Sequence, residues 1–133
     1  IPFSYGEYLP HSPLEMICKN YENNLHTLVL LDLDPTGMGV NNPKPMKPDE
    51  AISLLARMAS KILEETSTFE ILKKPVDEWD GILLTDISMV EQKVTAGNLS
   101  QLSKLKEGWI HCMIIPSNMN DNELEAFERR KNC

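Results

Sequence analysis

The stretch His26–Asp34, HTLVLLDLD, constrains the fold more than any other part of the chain. Leu28, Val29, Leu30 and Leu31 form an unbroken apolar run between His26-Thr27 and Asp32-Leu33-Asp34. A run this short and this apolar predicts a strand covered on both faces, near the middle of a sheet. Its polar ends then fall at the rim of that sheet, where open α/β folds commonly hold ligands. Buried strands with polar ends are common, so the stretch specifies no chemistry by itself.

The segments around it supply helices to pack on such a sheet. Ser12-Pro13-Leu14-Glu15 has the form of a capping box with proline in the first turn. Leu14, Ile17, Cys18 and Tyr21 then make a single apolar stripe, and Asn23-Asn24 marks the helix end. Pro35–Lys47 holds Gly37, Gly39, Pro43 and Pro45 and reads as a loop whose glycine spacing matches no phosphate-binding motif. Pro48-Asp49-Glu50 opens the longest helix, reaching about Glu65, with Ile52, Leu55, Met58, Ala59, Ile62 and Leu63 on its apolar face.

The second half alternates in the same way. Thr66–Trp79 fits a short strand or a turn, and both readings stay open. Gly81–Ile87 is a second strand, Lys93–Ala96 a short extended piece stopped by Gly97, and Trp109–Ile115 a third strand broken by Pro116. Asn98–Gln101 resembles a capping box over a short helix carrying Leu99, Leu102 and Leu105, and Asn120–Glu123 opens a peripheral last helix to about Lys131. The order predicts one α/β domain spanning residues 1–133, a central sheet with helices packed on it.

Composition narrows the function classes. The formal charge of −7, from 20 acidic against 13 basic residues, argues against nucleic acid as a direct partner. Lys104–Lys106 and Arg129–Lys131 are short enough to read as helix-end charge. No apolar run is long enough to span a membrane. Cys18, Cys112 and Cys133 lack paired spacing, which fits a reducing intracellular compartment. The start at Ile1 in place of methionine predicts a fragment of a longer protein.

The candidate chemistry is sparse. His26 and Asp32 stand about 20 Å apart along one strand at ~3.3 Å per residue, too far for a dyad. His111 is a possible acid–base group or ligand, although a satisfied structural histidine is the commoner use. Asp32, Asp34 and Asp86 would cluster only on parallel neighbouring strands; solvated strand ends are the commoner arrangement. His11, His26 and His111 show no metal-binding spacing, so no metal site is expected. No Ser-His-Asp or Cys-His spacing is recognisable, and no catalytic residue is assigned.

Four segments together resemble one family. PHSPLEMICKNYENNLHTLVLLDLD is similar to the P-x-S…I-x-x-N-x-x-N-x-L-H-T-L-x-L-L-D block of the diphthine synthases. PMKPDEAISLL resembles their segment around M-T-x-N-E-A, and GILLTDISMVEQKVTAGNLSQL their L-A-R-x-G…I-x-A-G-x-L stretch. WIHCMIIPSN…ELEAF resembles the P-H-x-L-I-V-P-G…E-x-E-x-L ending. The segments keep the family's order and match its C-terminal half, the first being the most specific.

The resemblance implies half of a two-domain, tetrapyrrole-methylase-like (class III) methyltransferase. Such an enzyme binds S-adenosylmethionine between its domains and methylates the modified histidine of translation elongation factor 2. It implies a cytoplasmic homodimer whose isolated half is inactive. Carried over by motif, its cofactor contacts fall on Leu31, the second Leu of L-L-D, on Ile87, the variable residue of A-R-x-G, and on His111, the His of P-H-x-L-I. The chain departs from the family where A-R-x-G is replaced by Thr85-Asp86-Ile87-Ser88. For those three residues to share a rim, the Trp109–Ile115 strand must run antiparallel to the other two, which predicts a mixed sheet. Two alternatives remain: another class III methylase, acting on a tetrapyrrole or ribosomal RNA, and a non-catalytic module that retains the fold.

Overall fold

The computed structural model describes residues 1–2, 9–33, 44–64 and 69–131. Asp34, most of the Pro35–Lys47 loop, Thr66 and Cys133 therefore lie outside the described residues. The element order is α1 (Ser12–Glu22), β1 (Thr27–Leu30), α2 (Pro48–Glu64), β2 (Asp80–Thr85), β3 (Lys93–Asn98), α3 (Leu99–Leu102), β4 (His111–Ile115) and α4 (Asp121–Arg129). Between α2 and β2 the chain makes two 3-10 turns, Glu70–Lys73 and Val76–Glu78. There the buried Trp79 indole donates to the carbonyls of Ile71 and Lys74. In the described part of the open Thr66–Trp79 segment, residues 69–79, this gives turns over a tryptophan anchor.

The four strands order as β1-β4-β2-β3. β4 is antiparallel to both β1 and β2, the direction the shared rim requires. β1 and β2 thus point the same way but are separated by β4, and every laddered pair among the four, β2–β3 included, is antiparallel. β3 runs on through Gly97 to Asn98, so Gly97 pairs with Gly81 inside the ladder and does not stop the strand.

β1 corrects the expectation of a central, doubly covered strand. Among the described residues it is an outer member of the four-stranded sheet, and its burial alternates. Ile1 meets it along its free edge: the Ile1 ammonium donates to the Leu30 carbonyl, and the Ile1 carbonyl accepts from the Asp32 amide. Thr27 and Val29 face the core, while Leu28 and Leu30 remain 59% and 65% exposed. The apolar run was correctly legible as apolar on both sides, but the described residues cover only one side well.

The core side holds Val29, Leu83, Met113 and Ile115 from the sheet. Packed against them are Leu14, Ile17 and Cys18 of α1, Ala51, Ile52, Leu54, Leu55, Met58, Ala59 and Ile62 of α2, and Leu99 and Leu102 of α3. Leu63 is exposed, and Leu54 takes a buried place that the helical pattern did not assign to it. α3 presses close enough on β2 that a Cβ on Gly81 would lie 2.6 Å from Leu99 Cδ2. Glycine is required there by the approach of the helix.

Helix ends show which caps form. Asn98 and Asn120 both make full reciprocal capping boxes, with Gln101 and Glu123. The Ser12 box does not form: α1 begins one residue earlier in register, with His11 at the N-cap and no side-chain cap bond. Asn24, at φ 57, ends α1 in the left-handed conformation. α4 is largely solvated and carries an Arg129–Glu125 ion pair, yet Phe127 is buried against the second face of the sheet.

Candidate functional site

The antiparallel register brings the three sequence-assigned residues to one end of the sheet. Leu30 pairs with Cys112, so Leu31 stands level with His111 one step on. Thr85 pairs with His111, and Ile87 lies two residues beyond Thr85. Two strand spacings, about 10 Å, separate β1 from β2 across β4. Leu31 is buried, Ile87 is half exposed and His111 is 3% exposed.

The rim is built from a tight lead-in to β4. Gly108 sits at φ 89, and a Cβ there would lie 2.1 Å from Thr85 Cγ2 and 3.3 Å from His111 Cε1. Only glycine meets both demands, a positive φ and no side-chain volume. Its carbonyl accepts from Lys47 Nζ at 2.8 Å, and the same ammonium lies 5.6 Å from the centre of the Trp109 ring. Across the turn, Asp86 accepts from the Trp109 and Ile110 amides.

His111 itself is held from one side. Its Nδ1 lies 3.2 Å from Thr85 Oγ1, while its buried Nε2 has no hydrogen-bond partner among the described residues. Burial, with Lys47 nearby, pushes its pKa below the ordinary histidine value, against the opposing influence of Asp86 and the Gly108 carbonyl. That direction favours the neutral ring. Asp86 is held below the usual carboxylate range chiefly by the Ile110 amide, with Trp109, His111 and Lys47 adding, against desolvation.

Around these groups the rim is apolar and open. Leu33, Ile87, Met89, Val90, Trp109 and Ile110 are all exposed, Val90 at 98%. A buried imidazole thus lies beside exposed apolar side chains at this end of the sheet.

The carboxylates do not assemble. β4 lies between the strands that carry Asp32 and Asp86, and among the described residues no group of three or more His, Cys, Asp or Glu could hold a metal. His26 is tied into the fold: its Nδ1 accepts from the Ser117 amide at 2.9 Å, and its Nε2 lies 2.5 Å from Glu123. Sequence reasoning missed Lys47, Gly108 and the work of Asp86. The available signal was the lone glycine just before a strand, but its role needs the fold.

Comparisons with known proteins place the chain in context. No family model matches it. A diphthine synthase from Methanocorpusculum labreanum is 30% identical over 130 residues, 97% of this chain and 45% of that protein. One from Methanosphaera stadtmanae is 29% identical, over 96% of this chain and 44% of that protein. The chain thus spans less than half the length of these relatives and matches their C-terminal half. Among solved structures, one from Entamoeba histolytica, provisionally described as a diphthine synthase, superposes with a TM-score of 0.83 at 24% identity. It covers 100% of this chain and 49% of its own. A conserved hypothetical protein from Aeropyrum pernix K1 superposes at 0.72 with 21% identity, over 92% of this chain and 40% of that one. The structural likenesses establish the fold, that of the tetrapyrrole-methylase-like proteins.

Proposed function

We propose, from the premise that this chain is similar along 97% of its length to the C-terminal half of diphthine synthases, that it is half of an S-adenosylmethionine-dependent methyltransferase. Its substrate in this reading is the modified histidine of translation elongation factor 2, and its setting the cytoplasm. The observation that carries the reading is the colinear match, supported by the register that brings Leu31, His111 and Ile87 to one rim.

The chain's own residues would form one wall of the cofactor cleft. Leu31 would contribute backbone groups and apolar contact, Ile87 apolar contact with adenine, and His111 its unused Nε2 as a hydrogen-bonding group. Bound S-adenosylmethionine supplies an already activated methyl on its sulfonium. The protein's task is then to position the reactants and exclude water, which asks for no catalytic dyad. The isolated half should bind cofactor weakly or not at all. No helix among the described residues is long and apolar enough to cross a membrane.

A homodimer belongs to the same reading. Two rows across the second sheet face, Leu28–Ile114–Ile82–Ala96 and Leu30–Cys112–Leu84–Val94, contain no polar residue. α4 covers the β2–β3 corner through Phe127, and among the described residues Leu28 and Leu30 on the β1 side stay exposed. A sheet face of this kind in a chain of net charge −7 is suited to a second copy, since charge repulsion is least there.

The decisive assay is methyl transfer by the full-length protein to elongation factor 2 carrying the unmethylated intermediate. Labelled methyl appearing on that histidine supports the reading. A full-length protein that binds S-adenosylmethionine but leaves the factor unlabelled would direct attention to another class III substrate.

A further inference from the structure

The geometry points to Asp86 as a positioning residue: its carboxylate and backbone lock the Gly108–Ile110 turn, and through it set the His111 ring and the Trp109–Ile110 wall of the rim. The inference rests on the cofactor reading only for what the rim binds.

The bland alternative for an aspartate at a strand end is a solvated carboxylate. Asp86 is instead 9% exposed and adopts φ 49, an uncommon conformation for a residue with a side chain. Its Oδ1 accepts from Ile110 N–H at 2.8 Å and from Trp109 N–H at 3.0 Å, and its Oδ2 lies 3.1 Å from the same Trp109 nitrogen. Its own N–H donates to the Ile110 carbonyl at 2.9 Å. Ile110 is therefore held through both its amide and its carbonyl by one residue. The next residue along is His111.

The neighbours close the arrangement from the other sides. Lys47 fixes the Gly108 carbonyl, and Thr85, immediately before Asp86, meets His111 Nδ1. A Cβ at Gly108 would lie 3.1 Å from Asp86 Oδ2, so the carboxylate and the turn interlock. Charge-assisted bonds from backbone amides to a carboxylate are among the stronger hydrogen bonds available. An arginine, the residue of the A-R-x-G pattern at this place, has no acceptor with which to take those amides. The departure at Thr85–Ser88 thus reads as a different way of building the rim: an anion that captures the turn.

Two variants separate positioning from simple stability. Asp86→Ala removes the acceptor, whereas Asp86→Asn keeps an amide oxygen for one or both N–H groups and loses the charge. In the 133-residue chain, amide exchange at Trp109 and Ile110 should accelerate about tenfold or more in Asp86→Ala, the order expected for a lost charge-assisted bond. The His111 ring resonances should move with it, and Asp86→Asn should restore most of both. In the full-length protein, the KM for S-adenosylmethionine should rise about tenfold in Asp86→Ala with kcat little changed, since orientation is lost and chemistry is not. Unmoved His111 resonances in a folded Asp86→Ala chain overturn the proposal, as does a KM equal to wild type in that variant. If wild-type protein fails to bind S-adenosylmethionine, the cofactor reading falls, and the His111 resonances alone decide the role of Asp86.

Discussion

The Ile110 amide reaches the Asp86 carboxylate at 2.8 Å, one residue before the buried imidazole of His111, so the two titratable groups of the rim share one backbone turn. Both have their pKa depressed in the folded protein, for different reasons: bonding to its charged form for Asp86, burial of the ring for His111.

That pairing predicts the direction of the acid response. A group whose folded pKa lies below its unfolded value takes up its proton first in the unfolded chain. The stability it contributes is full above the unfolded value and lost as pH falls through the folded one. For His111 the loss begins below its ordinary value of 6.5. For Asp86 it begins below 3.8. Urea unfolding of wild type at about pH 7.5 and about pH 5.5 should show lower stability at the acid end. His111→Gln should flatten that difference. An equally steep difference in the variant would mean that His111 is not the group responsible.

Gly108 should be the least replaceable glycine of the rim. Gly108→Ala combines a left-handed φ of 89 with a Cβ 2.1 Å from Thr85 Cγ2. Left-handed strain of about 1–2 kcal/mol and overpacking of about 1–3 kcal/mol act together. A loss of about 2–5 kcal/mol in denaturant unfolding is expected, with disturbed Thr85 and His111 resonances. A change below about 0.5 kcal/mol, the range of ordinary surface substitutions, would mean that the turn relaxes freely.

How much of this was readable beforehand differs by level. Periodicity located α2, β2 and β4 because each buries a regular stripe. Of the two capping boxes read from sequence the Asn98 one forms and the Ser12 one does not, and Asn120, read as a helix start, makes a full box as well. The place of β1 was misread for a physical reason: apolar residues on both sides of a strand report that both faces need cover, and say nothing of what supplies it. Leu31, Ile87 and His111 were named only through the family resemblance, and the register puts them at one end of the sheet. Lys47, Asp86 and Gly108 come together through tertiary contacts between positions 61 and 24 residues apart, which no local pattern encodes.

The caps give a paired test of local chemistry. The Asn120 side chain accepts from the Glu123 amide at 2.8 Å, whereas Ser12 makes no cap bond at the start of α1. Asn120→Ala should cost about 1 kcal/mol by thermal or urea unfolding, and Ser12→Ala less than about 0.5 kcal/mol. Equal losses would show that the Ser12 hydroxyl caps α1 in solution after all.

The open sheet face carries the last prediction. Leu28 and Leu30 lie on the outer strand, exposed, with Cys112 and Ile114 beside them across the ladder. Along the outer edge of β1 the Ile1 ammonium donates to the Leu30 carbonyl and the Asp32 amide to the Ile1 carbonyl, so the exposed feature of β1 among the described residues is its apolar face. In the homodimer proposed above, this face packs on its own copy about a two-fold axis, the isologous arrangement commonest among dimers. Leu28→Lys together with Leu30→Lys then puts charges at the centre of the contact. The dissociation constant should rise about a hundredfold or more, the scale of losing a central anchor. Because both side chains are exposed in the single chain, the circular dichroism spectrum should not change. Sedimentation velocity should report a dimer for wild type and a monomer for the double variant. A wild-type monomer, or a dimer that survives both lysines, assigns the face to another partner.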